Sequence, residues 1–152
     1  MTGKLILDLC GGSGSWSKPY RDAGYWVIVV DPHATVPGTV RQDVRLFRPP
    51  SVVPVHGILA APPCTDFCKA GARWWSQKEE QALLDALSIV DACLRMVTLT
   101  RPKWWVLENP NGRLTDYLGP PAMTFDPWQY GDGYRKSTHL WGRFIRPTPG
   151  SA

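Results

Sequence analysis

The chain has 152 residues, of which 43% are hydrophobic and 20% charged, and its net charge is +4. This length is sufficient for one domain with its own hydrophobic core, without disulfides or metals, and the composition is that of an ordinary soluble globular protein. The sequence has neither an apolar run near the roughly 20 residues that cross a bilayer nor an N-terminal signal sequence. We therefore expect a cytoplasmic protein without membrane contact.

The first half of the chain has the pattern of strands that alternate with a helix and turns. Three strands and one helix are predicted here, at residues 4–10, 15–23 (the helix), 25–31 and 39–44. A glycine-rich turn at 11–15 precedes the helix, and Ser13 or Ser15 can cap the helix N-terminus. The second strand is continuously apolar, which is typical of a parallel strand covered on both faces.

The second half continues the alternation of strands and helices. Strands are predicted at 55–61 and 104–108, a short terminal strand pair at 128–130 and 138–141, and the longest helix at 76–99. Apolar residues in that helix recur at three- and four-residue steps. The whole pattern predicts an open, mostly parallel α/β sheet with helices on both faces. We expect a single catalytic domain over residues 1–146 and a disordered Pro/Gly-rich tail at 147–152.

The first motif is DLCGGSG, residues 8–14, at the end of the first predicted strand. Glycines between a strand and a helix let the backbone approach a ligand closely. The second strand ends in Asp31, where a carboxylate can accept hydrogen bonds from both ribose hydroxyls of an adenosine-containing cofactor. The spacing suits a nucleotide and S-adenosylmethionine equally, and a purely structural turn is the alternative.

The second motif is APPCTDFC, residues 61–68, which follows the predicted strand at 55–61. Ligands of open α/β sheets bind at the carboxyl ends of the strands, so Cys64 is a candidate for chemistry. Exposed N–H groups at the start of a helix or turn would favour its thiolate. Cys64 and Cys68 are four residues apart, but no second Cys/His pair completes a zinc set, and no metal is expected.

The third motif is VLENP, residues 106–110, at the end of the next predicted strand. A carboxylate there would lie close to Cys64, because neighbouring parallel strands end at the same edge of a sheet. Glu108 alone is compatible with an ordinary surface loop. Together with Cys64 and the glycine-rich turn it indicates a catalytic site.

These three motifs, in this order, resemble those of the DNA cytosine-C5 methyltransferase family, and the resemblance covers roughly residues 4–142. It implies a Rossmann-like fold that depends on S-adenosylmethionine, with Cys64 as the nucleophile that adds to C6 of cytosine and Glu108 as its partner at N3. It also implies the cofactor-binding residues, which are Asp8, Cys10, Gly11, Gly12, Gly14, Asp31, Pro32, Asp43 and Pro62. Cys68 is expected to be a bystander.

The resemblance also implies contacts with DNA. Candidates are Asn109, and then Arg135 and Lys136, one of which is expected to contact the target base. In the loop after Cys64, Arg73, Trp74 and Trp75 are further candidates because such aromatic residues can stack on bases, and packing of the two tryptophans onto the long helix is the alternative. We expect this sequence to lack the family's target recognition domain, as small phage-encoded relatives do. If the protein is phage-encoded, the expected location is the cytoplasm of the host cell.

Without that domain we expect a DNA methyltransferase with short or degenerate sequence specificity. Two alternatives stay open from the sequence. One is the same chemistry on RNA or a free cytosine nucleotide, and the other is a catalytically silent protein that binds cofactor or DNA. The sequence leaves the oligomeric state open.

Overall fold

The computed structural model describes residues 3–34, 36, 38–63, 77–110, 112–125 and 137–145. Nine helices and strands lie within these residues. In chain order they are β1 (Leu5–Leu9), α1 (Lys18–Asp22), β2 (Trp26–Val30), β3 (Val55–Ala60), α2 (Gln77–Thr100), β4 (Trp104–Pro110), α3 (Thr115–Leu118), β5 (Met123–Phe125) and β6 (Thr138–Arg143). None of the helices in this part of the chain is both long and apolar enough to cross a membrane.

The described strands form one sheet in the order β2-β1-β3-β4-β6-β5. The first four strands are parallel, whereas β6 runs antiparallel to β4 and β5 runs antiparallel to β6. Leu9 lies opposite both Val30 and Ala60, and Ala60 lies opposite Leu107. The segments that follow β1, β2, β3 and β4 therefore meet at one edge of the sheet, which we call the carboxyl edge.

Each face of the sheet has its own hydrophobic cluster. On one face, side chains such as Leu7, Ile58 and Leu107 pack with the buried side of α2, including Val90 and Met96. The opposite face contributes a smaller cluster, and Tyr20 of the five-residue α1 packs against it. The described helices therefore differ greatly in length between the two faces, with 24 residues in α2 and five in α1.

The first predicted helix is shorter than expected, and its predicted cap is wrong. It begins at Lys18, with Pro19 in its first turn, a position that suits proline. The hydroxyls of Ser13 and Ser15 lie 2.6 Å apart and hydrogen-bond to each other. Ser17 precedes the helix without capping it, because its hydroxyl donates to Asp8 Oδ2 at 2.5 Å.

The remaining elements differ from expectation mainly where strands are short. The predicted strand at 39–44 is reduced to a single bridge between Val30 and Val40, after which the chain turns at Asp43. The strand at 138–141 is confirmed within β6, and its partners among the described residues are β4 and β5; the predicted partner at 128–130 lies outside them. A three-residue strand and the four-residue α3 are too short to give a periodic signal.

Candidate active site at the carboxyl edge

The glycine-rich turn after β1 is fixed by backbone hydrogen bonds. The N–H of Cys10 donates to the Val30 carbonyl at 2.8 Å, and that of Gly14 donates to the Gly11 carbonyl at 2.9 Å. Gly12 and Gly14 have φ angles of 54° and 76°, which glycine adopts without strain. A Cβ on Gly11 would lie 2.5 Å from Asp8 Cγ, so a side chain there would displace the buried carboxylate.

Asp31 follows β2 and is held beside this turn. Its Oδ2 accepts a hydrogen bond from the Gly12 N–H at 3.0 Å, and its Oδ1 accepts one from the His33 N–H at 2.8 Å. The side chain is half-buried. Each carboxylate oxygen can accept more than one hydrogen bond, so Asp31 keeps capacity for donors from a ligand.

A cavity of about 250 Å³, which we call the edge pocket, opens beside Asp31. Segments after β1, β2 and β3 contribute to it together with α2. Its lining residues are Cys10, Asp31, Pro32, His33, Asp43, Val44, Pro63 and Ile89. The pocket thus combines two carboxylates with an apolar wall.

The edge pocket brings together four of the predicted cofactor residues, namely Cys10, Asp31, Pro32 and Asp43. Gly11, Gly12 and Gly14 form the adjoining turn. Pro63 lines the pocket, while the predicted Pro62 is buried and is not among the described lining residues. His33, Val44 and Ile89 were missed. His33 could have been noticed from its position two residues after Asp31, but Ile89 looks like any apolar residue of an amphipathic helix.

Asp8 lies beneath the turn and is fully buried. Burial raises the pKa of its carboxyl group, although the hydrogen bond from Ser17 and the nearby Arg21 oppose this. Its Oδ1 has no hydrogen-bond partner among the described residues. The structure therefore places Asp8 as a support for the turn rather than on the surface of the edge pocket.

Asp43 is held by Arg45, a residue that the sequence did not single out. The Arg45 Nε lies 3.0 Å from both oxygens of Asp43, and this pairing lowers the pKa of the Asp43 carboxyl. Arg45 Nη1 also donates to Asp85 at 2.6 Å and to Ser88 at 2.9 Å, both on α2. Arg45 thus ties the wall of the edge pocket to the longest helix.

The ends of β3 and β4 are joined by a buried hydrogen bond. Asn109 is fully buried, and its Nδ2 donates to the Pro62 carbonyl at 3.0 Å. Its Oδ1 has no partner among the described residues. The predicted contact of Asn109 with a base stays a prediction, and in this structure its amide connects the two motif-bearing strands. Glu108, on the opposite face of β4, is half-buried.

Several predicted site residues lie outside the described residues. These are Cys64, Arg73, Trp74, Trp75, Arg135 and Lys136, and the expected bystander Cys68 also lies outside. The described part of the site therefore comprises the edge pocket, the glycine-rich turn and the hydrogen bond between Asn109 and Pro62 that joins the ends of β3 and β4. Within that part, no group of three or more His, Cys, Asp or Glu side chains could hold a metal ion.

Comparison with solved structures shows a similar fold in a protein assigned as a DNA modification methyltransferase, encoded within a prophage of E. coli. The TM-score is 0.59 at 18% identity, and the match covers 92% of this chain. This chain spans 46% of the length of that neighbour. The likeness shows the fold alone, and it confirms the predicted Rossmann-like methyltransferase fold with a mostly parallel sheet.

A weaker structural match is the CcbJ methyltransferase from Streptomyces caelestis, also at 18% identity. It covers 96% of this chain and 68% of its own, but its TM-score of 0.44 is too low to support an argument. No protein-family model matches the chain, and no curated protein matches it in sequence.

Proposed function

We propose that this protein transfers a methyl group from S-adenosylmethionine to C5 of cytosine in DNA. The observation that carries the proposal is the edge pocket, whose wall includes Pro63, the residue immediately before Cys64 in the chain. The adjacent strand β4 carries Glu108 near the same edge of the sheet. Cofactor pocket, nucleophile motif and carboxylate thus belong to consecutive strands.

The chemistry of the edge pocket fits the adenosine part of the cofactor. Asp31 offers acceptors to the two ribose hydroxyls, and Val44 and Ile89 offer apolar contacts to the adenine ring. Asp43 supplies a carboxylate acceptor for the adenine amino group. When bound, the cofactor supplies a methyl group on a positively charged sulfur.

The side chains of this protein would then carry the reaction on cytosine. The Cys64 thiolate forms a bond to C6 of the base while Glu108 holds or protonates N3, which makes C5 nucleophilic. C5 takes the methyl group, a base removes the C5 proton, and the bond between C6 and sulfur breaks to return the thiolate. A base within duplex DNA must leave the stack to enter such a site.

The described cysteines are poor alternatives to Cys64 as nucleophile. Cys93 is 1% exposed, and its hydrogen bond with Cys10, together with burial, raises the pKa of its thiol well above its usual range. A buried, protonated thiol is unreactive. Cys10 lies on the turn after β1, among the groups proposed to bind cofactor.

DNA is the proposed substrate because of the net charge of +4 and because the structural neighbour is assigned as a DNA modification enzyme. We propose that this part of the protein recognises two or three base pairs, or almost none. The alternatives are methylation of RNA, methylation of a free cytosine nucleotide, and a silent binding role, and experiment distinguishes them from methylation of DNA. Assays with DNA, RNA and dCMP in parallel should yield S-adenosylhomocysteine with DNA.

The covalent step is tested with DNA that contains 5-fluorocytosine, because fluorine cannot leave as the C5 proton does. We expect a denaturation-resistant adduct that Cys64→Ser abolishes. Cys68→Ser is the matched control, and its adduct should persist. An adduct that survives Cys64→Ser, or a product other than 5-methylcytosine on nucleoside mass spectrometry, contradicts the proposal.

A further inference from the structure

The sheet face opposite α2 has a second and larger recess, which we call the face groove. Its volume is about 660 Å³. Four aromatic side chains and two cations contribute to its lining, together with four aliphatic residues. The aromatic residues are Trp16, Tyr20, Trp104 and Phe144, and the cations are Lys103 and Arg143. None of the lining residues within the described part of the chain is acidic.

The aromatic floor of the face groove is built into the sheet. Trp104 packs against Gly57, where a Cβ would come within 2.3 Å of the indole ring. Tyr20 stacks against Trp104 with ring centroids 5.4 Å apart and an interplanar angle of 29°. Tyr25 in turn meets Tyr20 edge-on at 5.5 Å. Rings held in this way offer a preorganised apolar surface at little cost in side-chain entropy.

The two cations lie at the same end of the sheet. Trp105 of β4 is opposite Arg143 of the antiparallel β6, so Lys103–Trp104 and Arg143–Phe144 are neighbouring pairs of a cation and an aromatic residue. Lys103 and Arg143 are both exposed. Within the described part of the chain, neither is paired with a carboxylate.

We propose that the face groove binds an unpaired stretch of a nucleic-acid strand. The bases would contact the aromatic side chains, and the phosphates would contact Lys103 and Arg143. Recessed rings can be reached by unstacked bases but not by those inside a duplex. The two exposed cations and the four aromatic residues in the described lining favour a polyanion with flat rings over a protein surface of mixed charge.

This site goes beyond the proposed methylation, because the groove's cations lie away from the carboxyl edge. Lys103 is five residues before Glu108 along β4, a separation of roughly 16 Å in an extended strand. A strand bound in the face groove could remain bound while another part of the DNA occupies the carboxyl edge.

Fluorescence anisotropy with a labelled oligothymidylate tests the proposal, since this probe contains no cytosine. Lys103→Gln/Arg143→Gln should weaken binding about tenfold and reduce the slope of log affinity against log salt by about 1.4, the value for two lost phosphate contacts. Arg48→Gln/Arg101→Gln removes the same charge from exposed positions outside the groove. This control should leave the slope unchanged.

A second measurement locates the strand directly. Oligonucleotides carrying 5-iodouracil should photocrosslink to peptides that contain Trp16, Tyr20 or Phe144. Crosslinks confined to other peptides, or equal salt slopes in the two double variants, overturn the proposal. The proposal is also overturned if sedimentation shows that Lys103→Gln/Arg143→Gln loses self-association while its binding of oligothymidylate is unchanged. Calorimetry with S-adenosylmethionine is independent of these readouts, so failure of the proposed methylation would be recognised separately.

Discussion

The edge pocket and the face groove are recesses of opposite chemistry within one small sheet. Among the described residues, the edge pocket is lined by two carboxylates, whereas the face groove is lined by two cations and no acid. The first suits a ligand that donates hydrogen bonds and carries positive charge, such as the proposed cofactor. The second suits a ligand with phosphates and flat rings.

The two recesses also differ in how the chain builds them. The edge pocket is made by segments that follow parallel strands, and backbone N–H groups hold Asp31 in place. The face groove is made by residues on the sheet face against which the short α1 packs. Strand connections thus create the first recess, while residues of one sheet face create the second.

Removing the Asp31 carboxylate should separate the two recesses most clearly. Asp31→Ala should weaken S-adenosylmethionine binding at least tenfold by calorimetry, because two charge-assisted hydrogen bonds of about 1.5–3 kcal/mol each are lost. Binding of oligothymidylate should be unchanged. Asp91→Ala, an exposed acid on α2, is the control. Unchanged cofactor affinity in a folded variant would mean that the ribose lies elsewhere.

Asn109→Ala tests whether β3 and β4 depend on their buried hydrogen bond. The Pro62 carbonyl would lose its donor, so the free energy of unfolding should fall by about 1–3 kcal/mol in urea titrations. Methyl transfer should fall more than cofactor affinity, since this bond joins the two motif-bearing strands. Asn109→Asp keeps the side-chain volume but cannot donate when ionised, and should be at least as destabilising. A neutral effect of Asn109→Asp contradicts this reading.

Asp8→Asn should remove a pH-dependent cost beneath the turn. Burial raises the carboxyl pKa above 3.8 in the folded protein, so the wild type is favoured below that pH and loses stability as pH rises through the folded value. The variant lacks this loss and should be more stable by about 1 kcal/mol at pH 7, but not at pH 3.5. If the free energies of unfolding of wild type and Asp8→Asn change with pH in parallel, the raised pKa of Asp8 is contradicted.

The sequence located the edge pocket because parallel strands end together. Cys10, Asp31 and Asp43 could each be placed from a strand end or a motif, and all three line the pocket. Arg45 could not be predicted, because its partners Asp85 and Ser88 lie 40 and 43 residues away on a helix. Pairing between distant segments has no local signal.

The face groove was missed for a related reason. Trp16, Trp104 and Phe144 come from separate segments, and nothing in the sequence indicates that they share a recess. The prediction of helices on both faces was right, but it did not reveal that α1 has only five residues. Proline and glycine residues near the ends of a helix set its length, and the spacing of apolar residues does not predict that length.

Arg45→Gln should have the smallest effect, and it tests how the edge pocket holds a second carboxylate. Arg45 is 35% exposed, so loss of its ion pairs should lower the free energy of unfolding by less than about 1 kcal/mol. Its partner Asp43 has a lowered pKa, so the contribution of this pair is present above pH 3.8 and is lost as pH falls through the folded value. Chemical denaturation should therefore show the two proteins differing at pH 7 and converging well below pH 3.8. Lys18→Gln, which removes a more exposed pair with Asp22, is the control. A difference that persists at the lowest pH would assign the effect of Arg45 to packing against α2 rather than to its charge.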